Sequence, residues 1–416
     1  METIAAEAPL ACEALVVGAG HAGLAAAIGL ADAGVDAILC GTPERQDNGR
    51  TVALLDGSVR LLKALGVWAG MEPLAAPLCG LRLIDDTGSL WSAPPVEFRA
   101  GEIGLEAFGW NVENGDLVAA LAAVARKHAS LRLIETRVET CEFTNSQAIA
   151  HAGAEGTIRC DLVVAADGRA SPLRKLAGIE VSDAPYPQTA ITVILGHSRP
   201  HLDFSTEFHG AEGPFTLVPL PGKPGAPFRS SLVWVMANRT ARRRAALDDA
   251  ALAREIERQA RSMLGEMAIE SPRGIFPIGL RLARAMIAPR LALIGDAAHA
   301  LPPIGAQGLN LGLRDGAHLV ETVIEARRMS GDIGAAGVLE RYARLRRFDV
   351  ALRAGAVDGL NRSLLANSPA INAMRGAGLA ALGAIGPLRR LVMREGVAPR
   401  FGSPAIMRDR SSASPR

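Results

Sequence analysis

The fold is decided by one stretch near the N-terminus, Ala14-Leu15-Val16-Val17-Gly18-Ala19-Gly20-His21-Ala22-Gly23, which predicts a strand, a tight turn and the start of a helix. Gly18 permits the turn, Gly20 lets the backbone approach a pyrophosphate, and Gly23 allows the helix to pack closely on the strand. Free N–H groups at the positive end of the helix dipole favour phosphate oxygens. We therefore expect a dinucleotide at this turn, and a glycine-rich turn that binds nothing is the alternative.

The adenosine end of this expected site departs from the usual pattern. The apolar stretch 35–40 predicts the next strand, and an acidic residue that hydrogen-bonds the adenosine ribose is expected where that strand ends. Gly41 stands at that position. Glu44 or the hydroxyl of Thr42 is then the candidate for the ribose contact.

A second apolar run, 161–166, predicts a buried parallel strand that ends at Asp167 and Gly168. Ligands of open parallel sheets bind at the carboxyl ends of the strands. Asp167 is therefore a candidate cofactor contact, and Arg174 is a candidate anchor on the following helix. A turn aspartate with a structural arginine is the alternative, because Asp-Gly is a common turn dipeptide.

A third strand, 291–294, again ends at an aspartate, Asp296, and a Pro/Gly-rich loop then leads into a long helix predicted over 309–329. The first N–H groups of that helix can stabilise negative charge on a bound ring system. A rigid connection without a ligand is the alternative. His299, close to Asp296, is interpreted as a packing residue of the loop rather than a general base.

Composition excludes several classes of protein. With 416 residues, 49% hydrophobic and 21% charged, the chain is long enough for two well-packed lobes. The net charge of +2 gives no support to nucleic-acid binding. Five separated cysteines indicate neither a zinc site nor disulfides, and Pro200 between His197 and His201 argues against a metal there. We expect no metal.

The chain has no apolar stretch of the roughly 18 residues that a membrane-spanning helix needs, and its first ten residues carry no basic residue. We expect a cytoplasmic protein, or a peripheral one on the inner face of the membrane. The apolar piece 377–388 is followed by Arg389, Arg390 and Arg394. It can lie on a membrane surface as an amphipathic helix, or it can pack on the dinucleotide-binding domain.

Together, the segments around Gly18, Asp167 and Asp296 resemble the FAD-dependent aromatic hydroxylases of the para-hydroxybenzoate hydroxylase class. Within that class the chain is most similar to the hydroxylases of ubiquinone biosynthesis. The similarity is carried by the stretches 50–68, 113–121, 186–190, 213–220 and 303–315. One departure is Gly305-Ala306, where many relatives read Ala-Gly, which leaves open the backbone path beside the flavin.

The resemblance implies an α/β fold in which a mixed or antiparallel β-sheet substrate domain is inserted into a Rossmann-type FAD-binding domain, with a helical C-terminal region. The implied FAD-binding domain is discontinuous and comprises 11–80, 104–180 and 273–350. The substrate domain comprises 81–103 and 181–272. The C-terminal helices are expected over 351–400, and a disordered tail over 401–416.

The resemblance also implies the cofactor contacts. The glycine turn holds the ADP half, Asp167 lies near the pyrophosphate, Asp296 contacts the ribityl chain, and Arg50 and Asn114 border the flavin. The full set of expected cofactor residues is Gly18, Ala19, Gly20, Gly23, Arg50, Asn114, Asp167, Asp296, Gly308, Leu309 and Asn310. Pro303 and Gln307, in the loop beside the flavin, are the only catalytic candidates.

The function implied is hydroxylation of the aromatic ring of a polyprenylated phenol or quinone precursor in ubiquinone biosynthesis. FAD would be reduced by NAD(P)H and react with O2 through a flavin hydroperoxide. Because only one glycine fingerprint exists, NAD(P)H would visit only transiently. The alternatives are a related flavin monooxygenase acting on another phenol or an alkene, and a non-catalytic flavin-binding scaffold. Expected partners are a small hydrophobic aromatic substrate, O2, subunits of a ubiquinone-synthesis complex and a membrane surface.

Such chemistry needs a dry, apolar pocket, because water promotes loss of the oxygen as hydrogen peroxide. The segment 186–234 predicts an antiparallel sheet with aromatic and proline residues on alternating strands. The pocket candidates are Phe204, Phe208, Phe215, Pro219 and Trp234. An ordinary sheet core is the alternative for each of them.

Overall fold

A computed structural model describes residues 9–45, 48–88, 94–329, 331–366, 368–397, 399 and 402–408. Its strands are β1 Leu10–Val17, β2 Ala37–Cys40, β3 Thr51–Leu55, β4 Ala76–Pro77, β5 Gly80–Asp86, β6 Val96–Arg99, β7 Gly109–Glu113, β8 Leu131–Ile134, β9 Thr140–Phe143, β10 Ala148–His151, β11 Thr157–Ala165, β12 Val181–His197, β13 Phe204–Gly210, β14 Gly213–Leu220, β15 Arg229–Ala237, β16 Met267–Ile269, β17 Gly274–Ala283, β18 Ile287–Ala288, β19 Leu291–Leu293 and β20 His299–Ala300. Its helices are α1 His21–Asp32, α2 Asp56–Ala64, α3 Trp68–Met71, α4 Asn114–Lys127, α5 Pro172–Leu176, α6 Asn238–Ala245, α7 Asp249–Gln259, α8 Gln307–Arg328, α9 Ala336–Leu365, α10 Pro369–Ala384 and α11 Gly386–Val397.

The first sheet has a parallel centre in the order β19-β11-β1-β2-β8, with β18, β10 and β9 added antiparallel. Its central strands are continuous apolar runs because both of their faces are covered. On one face, α1 packs between the sheet and α8, where Leu24, Ile28 and Val323 join one core cluster. All three strand ends that the sequence singled out, at Val17, Ala165 and Leu293, therefore lie at one edge of this sheet.

The second sheet has nine strands and runs β20-β17-β12-β15-β14-β13-β5-β6, with β16 also paired to β12. All of its pairs are antiparallel except β13 with β5. A small third sheet, β3-β7-β4, connects the other two. The connection is polar: Asn111 in β7 donates to the carbonyl of Pro219, and Thr51 in β3 donates to Ser231 at 2.7 Å.

The two faces of the second sheet have different neighbours. One face carries Phe208, Phe215 and Trp234, which pack in edge-to-face contacts and form a core cluster with Leu252 and Ile256 of α7. The opposite face carries Ser231 and therefore turns toward the small sheet and Arg50. The interpretation of Phe208, Phe215 and Trp234 as pocket residues is wrong, since strand alternation places them on the face away from the glycine turn.

The C-terminal helices pack on the second sheet. Leu379 of α10 and Met393 of α11 join Val96 and Phe98 of β6 in a buried cluster, and Arg389 pairs with Glu102 at 2.7 Å. The expected packing is thus found, but against the antiparallel sheet rather than the dinucleotide-binding domain. None of the helices in the described part of the chain is both long enough and apolar enough to cross a bilayer.

Residues 402–408, which we expected in a disordered tail, form an ordered segment. Met407 is buried in the core cluster that contains Leu61 of α2, and His318 of α8 donates from Nε2 to the carbonyl of Gly402 at 2.8 Å. Residues 409–416 lie outside the described residues. The predicted α/β fold class, with its inserted sheet and helical C-terminal region, is confirmed; the domain boundaries stay a prediction.

Candidate functional site

The glycine turn leaves open space where a dinucleotide is expected. Gly18 has φ +111°, and a Cβ there would lie 2.3 Å from the carbonyl oxygen of Ala166. At Gly23 a Cβ would lie 1.9 Å from the oxygen of Gly18. At Gly20, by contrast, it would meet no atom of the described residues within 4 Å. The N-cap of α1 at Gly20 makes no side-chain hydrogen bond, so the first N–H groups of α1 point at this open space.

The structure accounts for the missing acid at residue 41. Gly41 has φ +145°, and a Cβ there would lie 2.7 Å from the backbone nitrogen of Ala19. A side chain would therefore be strained and would press on the glycine turn. Thr42 and Glu44 are exposed beside it, and their contact with a ribose stays a prediction.

Asp167 and Arg174 join the second and third segments. Asp167 accepts from the N–H of Leu173 in α5 at 3.0 Å through Oδ2, while Oδ1 is buried without a hydrogen-bond partner among the described residues. Burial raises the pKa of Asp167. Arg174 is buried and donates to the carbonyl of Ala297, just after Asp296, at 2.7 Å. Arg174 is thus an anchor of the third segment, and the contact of Asp167 with a cofactor stays a prediction.

Arg50, Asn114 and His21 meet beside the glycine turn. Asn114 donates its backbone N–H to the carbonyl of Arg50 at 3.0 Å, and His21 Nε2 donates to the carbonyl of Asn114 at 3.2 Å. Burial, together with the charge of Arg50, lowers the pKa of His21 to about 4. A neutral imidazole therefore lies beside an exposed guanidinium. His21 was not predicted as a site residue, although it stands inside the glycine stretch 18–23.

Asp296 lies in a deep cleft. Solvent reaches its side chain, yet burial raises its pKa because protein surrounds it on most sides. The charges of His299, Arg50 and Arg169 act in the opposite direction and favour the carboxylate. The structure thus brings Arg50 and Asp296, predicted from stretches about 250 residues apart, to one cleft with the glycine turn.

The long helix α8 begins at Gln307, two residues before the predicted start, and Ala306 before it has the left-handed conformation (φ +54°). Gln307 Nε2 donates to the carbonyl of Gly305 at 2.9 Å. A Cβ at Gly308 would meet no described atom within 4 Å. Pro303 is exposed and Leu309 is half-buried. The start of α8 is therefore open to a ligand at Gly308.

The side-chain oxygen and nitrogen of Asn310 both form hydrogen bonds within the protein. Its oxygen accepts from Leu55 N–H at 2.9 Å and from Ser58 Oγ at 2.7 Å, while its nitrogen donates to the carbonyls of Ala53 and Ala306. Asn310 thus fixes the left-handed turn against β3. Only its backbone can contact a cofactor, and that contact stays a prediction.

A buried ionic network supports this loop from behind. Asp315 of α8 accepts from His299 Nε2 at 2.6 Å, from the N–H of Gly295 at 2.9 Å, and from Arg346 Nε at 2.7 Å. Arg346 continues to Asp349, and Asp349 to Arg353 at 2.8 Å. Burial alone would raise the pKa of Asp349, but Arg314, Arg346 and Arg353 hold it well below its usual range.

The network ends at the start of α8, where Arg353 Nη1 donates to Gln307 Oε1. It therefore connects the Asp296 segment to Gln307 through α9. Arg346, Asp349 and Arg353 were not predicted as site residues, because the helical pattern of α9 does not reveal which of its arginines are buried.

The face of the second sheet that turns toward Arg50 is only half covered. Thr216, Val218 and Val233 lie on the central strands β14 and β15, yet solvent partly reaches each of them. The opposite face of the same strands is buried. Partly exposed residues in the middle of a sheet indicate a cleft. The cleft lies next to the Arg50 segment, because Thr192 of β12 contacts the carbonyl of Asn48 at 3.5 Å.

A separate cavity of about 1410 Å³ lies between α1, α2, α8 and residues 402–408. It is lined by Gly29, Leu61, Leu313 and Arg408 among others, and it contains none of the predicted cofactor residues. It is therefore distinct from the cleft at Asp296.

A dinucleotide with a ring system fits the main cleft. The glycine turn offers unfilled space and N–H groups, Asp296 offers acceptor oxygens, and the start of α8 offers further N–H groups. An apolar surface follows directly on the second sheet. These features define an oxidoreductase with a dinucleotide cofactor and an adjoining apolar substrate cleft.

The comparisons with known proteins identify the family. The model described as FAD binding domain matches residues 11–351. The chain is 32% identical to the ubiquinone hydroxylase UbiL of Rhodospirillum rubrum over 92% of this chain and 88% of that protein. It is 31% identical to the 3-demethoxyubiquinol 3-hydroxylase of Escherichia coli over 92% and 97%. The chain therefore belongs to this family of FAD-dependent monooxygenases, and FAD is its cofactor.

Solved structures agree on the fold. The p-nitrophenol 4-monooxygenase PnpA of Pseudomonas putida has a TM-score of 0.75 at 18% identity, with 94% of this chain and 99% of that one covered. PqsL of Pseudomonas aeruginosa has a TM-score of 0.73 at 20% identity, with coverage of 89% and 99%. The predicted resemblance is confirmed by the family and its relatives; the individual residue assignments remain predictions.

Proposed function

We propose that this protein hydroxylates the aromatic ring of a polyprenylated phenol or quinone precursor in ubiquinone biosynthesis, with NAD(P)H and O2 as co-substrates. The single observation that carries the proposal is the pair of relatives named as a ubiquinone hydroxylase and a 3-demethoxyubiquinol 3-hydroxylase, each matched over 92% of this chain. The half-covered apolar sheet face beside the predicted flavin contacts supports it, because an aromatic substrate needs such a surface.

FAD, when bound, would supply the redox chemistry that couples the oxidation of NAD(P)H to the insertion of one atom of O2 into the ring. The residues of the chain bind and orient it. The glycine turn from Gly18 to Gly23 would hold the pyrophosphate, and Asp296 would accept hydrogen bonds from the ribityl hydroxyls. The N–H groups at Gly308 and the guanidinium of Arg50 favour negative charge on the reduced ring.

Apolar side chains at the β5–β6 edge of the second sheet support a substrate with a long tail. Leu81 and Leu83 of β5 are half-buried and pack against the cluster that α10 and α11 form with β6. Beyond it, Ile385, Leu388, Leu391 and Val392 are exposed, and Arg390 stands among them. This composition favours contact with an anionic membrane surface, from which a polyprenylated substrate would be taken.

Two alternatives give other results in the same experiments. The first is hydroxylation of another phenol or an alkene. The second is a scaffold subunit of a ubiquinone-synthesis complex, which the sequence supported only through the missing acid at Gly41. Since the geometry at Gly41 explains that absence, the scaffold has no separate support.

The test is the quinone profile of a strain that lacks the protein. We expect an intermediate without one ring hydroxyl to accumulate, and purified enzyme with NAD(P)H and O2 to convert that intermediate. An unchanged profile would refute the proposal. NAD(P)H oxidation with soluble phenols only would favour the first alternative, and no flavin reduction with any substrate would favour the scaffold.

Replacement of Asp296 tests the cofactor assignment. We expect Asp296→Ala to weaken FAD binding by about tenfold or more, because a charged hydrogen-bond acceptor is worth about 1.5–3 kcal/mol. The flavin content of the purified protein, read from its absorbance, measures this. Asp249→Ala removes an exposed aspartate that pairs with Arg273 and should keep full flavin. Full flavin in Asp296→Ala would show that the assignment is wrong.

A further inference from the structure

The cleft face of the second sheet carries several polar residues, and Thr216 is the partly exposed one on its central strands β14 and β15. Thr216 of β14 lies opposite Val233 of β15 on one side and Glu207 of β13 on the other. Its hydroxyl is half-buried, whereas Val218 and Val233 around it are apolar. Strand alternation puts Thr216, Val233 and Glu207 on the same face of the sheet.

Thr216 is hydrogen-bonded to a buried glutamate, which is itself hydrogen-bonded to a buried histidine. Thr216 Oγ1 donates to Glu207 Oε2 at 3.3 Å, and Glu207 Oε1 accepts from His209 Nε2 at 2.7 Å. The side chains of Glu207 and His209 are only 11% and 4% exposed. His209 Nδ1 has no hydrogen-bond partner among the described residues.

This arrangement is costly for the fold alone. A buried polar atom without a partner costs about 1–3 kcal/mol, and a sheet face can be filled by apolar residues instead. A polar group kept in an apolar cleft is typical of a position that recognises a polar group of a ligand. With its proton directed to Glu207, Thr216 Oγ1 presents lone pairs to the cleft.

Thr216 is also at a suitable distance from the predicted flavin contacts. Val233 lies beside Thr192 of β12, which contacts the carbonyl of Asn48, two residues before Arg50. Thr192 and Thr216 are therefore two strands apart, which is about 10 Å. A substituted aromatic ring spans such a gap, so a ring that contacts Thr216 reaches the Arg50 segment.

We propose that Thr216 Oγ1, held by Glu207 and His209, accepts the hydrogen bond of a ring hydroxyl of the substrate. The inference rests on the proposed function and identifies its substrate class as rings with a free hydroxyl. During hydroxylation the substrate O–H bond breaks as its proton passes to Thr216 Oγ1, while the Thr216 proton passes to Glu207 Oε2. The ring thereby gains electron density, which favours attack on an electrophilic oxygen, and the contact fixes which ring carbon faces the cofactor.

The test uses holoenzyme with ortho-geranylphenol and its O-methyl ether as probes. The wild type should bind and hydroxylate the phenol and reject the ether, because a site built to bind a hydroxyl rejects an analogue that lacks one. Thr216→Val has the same shape without the hydroxyl. We expect it to keep its FAD, to lose about tenfold in affinity for the phenol, and to bind the phenol and the ether equally.

Thr206→Val is the matched control, since Thr206 lies on the neighbouring strand but on the opposite face. It should discriminate between the probes as the wild type does. Glu207→Gln keeps a side chain of the same shape and should reduce the hydroxylated product per NAD(P)H consumed, with hydrogen peroxide making up the difference.

The outcomes separate this inference from the proposed function. If the wild type hydroxylates the phenol and Thr216→Val still discriminates between the two probes, the assignment of Thr216 is wrong while the proposed function stands. If the wild type hydroxylates no ring with a free hydroxyl, the proposed function fails and this inference with it.

Discussion

Ala306 is a non-glycine residue with left-handed backbone conformation in the loop beside the predicted flavin site. Gly305 and Ala306 both have the left-handed backbone conformation, with φ +63° and +54°. Only glycine adopts it without strain, and for other L-residues it costs about 1–2 kcal/mol. The hydrogen bond from Asn310 to the Ala306 carbonyl holds the residue there.

We expect Ala306→Gly to stabilise the protein by about 0.5–1 kcal/mol, because relief of strain exceeds the added flexibility of the unfolded chain. Urea unfolding with an unchanged m-value measures this. Gly305→Ala is the reverse control: its Cβ would meet only Gln307 Nε2 at 3.9 Å among the described residues, so its expected loss of about 1 kcal/mol comes from the backbone. A less stable Ala306→Gly would contradict the strain argument.

At the residue scale, the sequence predicted where the site residues lie better than it predicted what their side chains contact. Asp167, Asp296 and Arg50 stand near the expected cleft because strand ends and helix starts are local features. The full use of the Asn310 side chain was not predictable, since its partners Leu55 and Ser58 are more than 250 residues away. The sequence shows that Gly41 stands where an acidic residue is expected. The reason is visible only in the structure, where the backbone of Ala19 leaves no room for a side chain at residue 41.

The helix α9 combines two roles on opposite faces. Arg346 is fully buried in the ionic network, while Leu345, Phe348 and Leu352 are exposed on the other side. Arg353 pairs with Asp349 within α9, and it joins α9 to Gln307 and, at 3.3 Å, to the carbonyl of Glu395 in α11. The start of α8 is therefore held by a helix that the cofactor motifs do not include.

We expect Arg353→Met to weaken FAD binding by about tenfold, or about 1.4 kcal/mol, because Gln307 and the loop before it lose their support. Fluorescence titration of apoprotein with FAD measures this. Arg344→Met is a fair control, since Arg344 lies on the same helix in an exposed pair with Glu340 and should bind FAD like the wild type. Equal affinity in both variants would exclude a role of α9 in the site.

At the element scale, alternation along β13, β14 and β15 was predictable, but the face that each residue takes was not. The sequence shows that Phe215 and Thr216 point to opposite sides, and aromatic character favoured Phe215 for the pocket. Phe215 lies in the core rather than the pocket, because helices α6 and α7 cover its face of the sheet. The packing of helices on a sheet depends on the whole chain, which a local pattern does not contain.

At the scale of the whole molecule, the C-terminal segment 402–408 packs against α8. Ala405 and Ile406 donate their N–H groups to Glu321, and His318 donates to Gly402. His318 is buried, and burial lowers its pKa to about 4, with Glu321 3.9 Å from its Nδ1. The C-terminal segment and α8 are thus joined through a neutral imidazole.

This contact predicts a loss of stability in acid. Because the folded protein resists protonation of His318 between pH 6.5 and 4, the unfolded chain binds more protons there, and stability falls as the pH falls through that window. Between pH 7 and 5 we expect a loss of about 2 kcal/mol from this residue.

Urea unfolding at both pH values measures the loss, and His318→Gln should show a smaller difference between them. His21 acts in the same direction, so the variant removes only part of the dependence. An unchanged difference in His318→Gln would contradict the assignment to His318.

The two unlike faces of the second sheet have a consequence for how this protein can evolve. Along β14 and β15, every second residue belongs to a core shared with α6 and α7 and tolerates little change. Between them, the partly exposed Thr216, Val218 and Val233 border a cleft, where substitutions alter which molecule is accepted at less cost to folding. Alternate positions of one strand can therefore serve different ends: one set keeps the fold, and the other can change the substrate that is accepted.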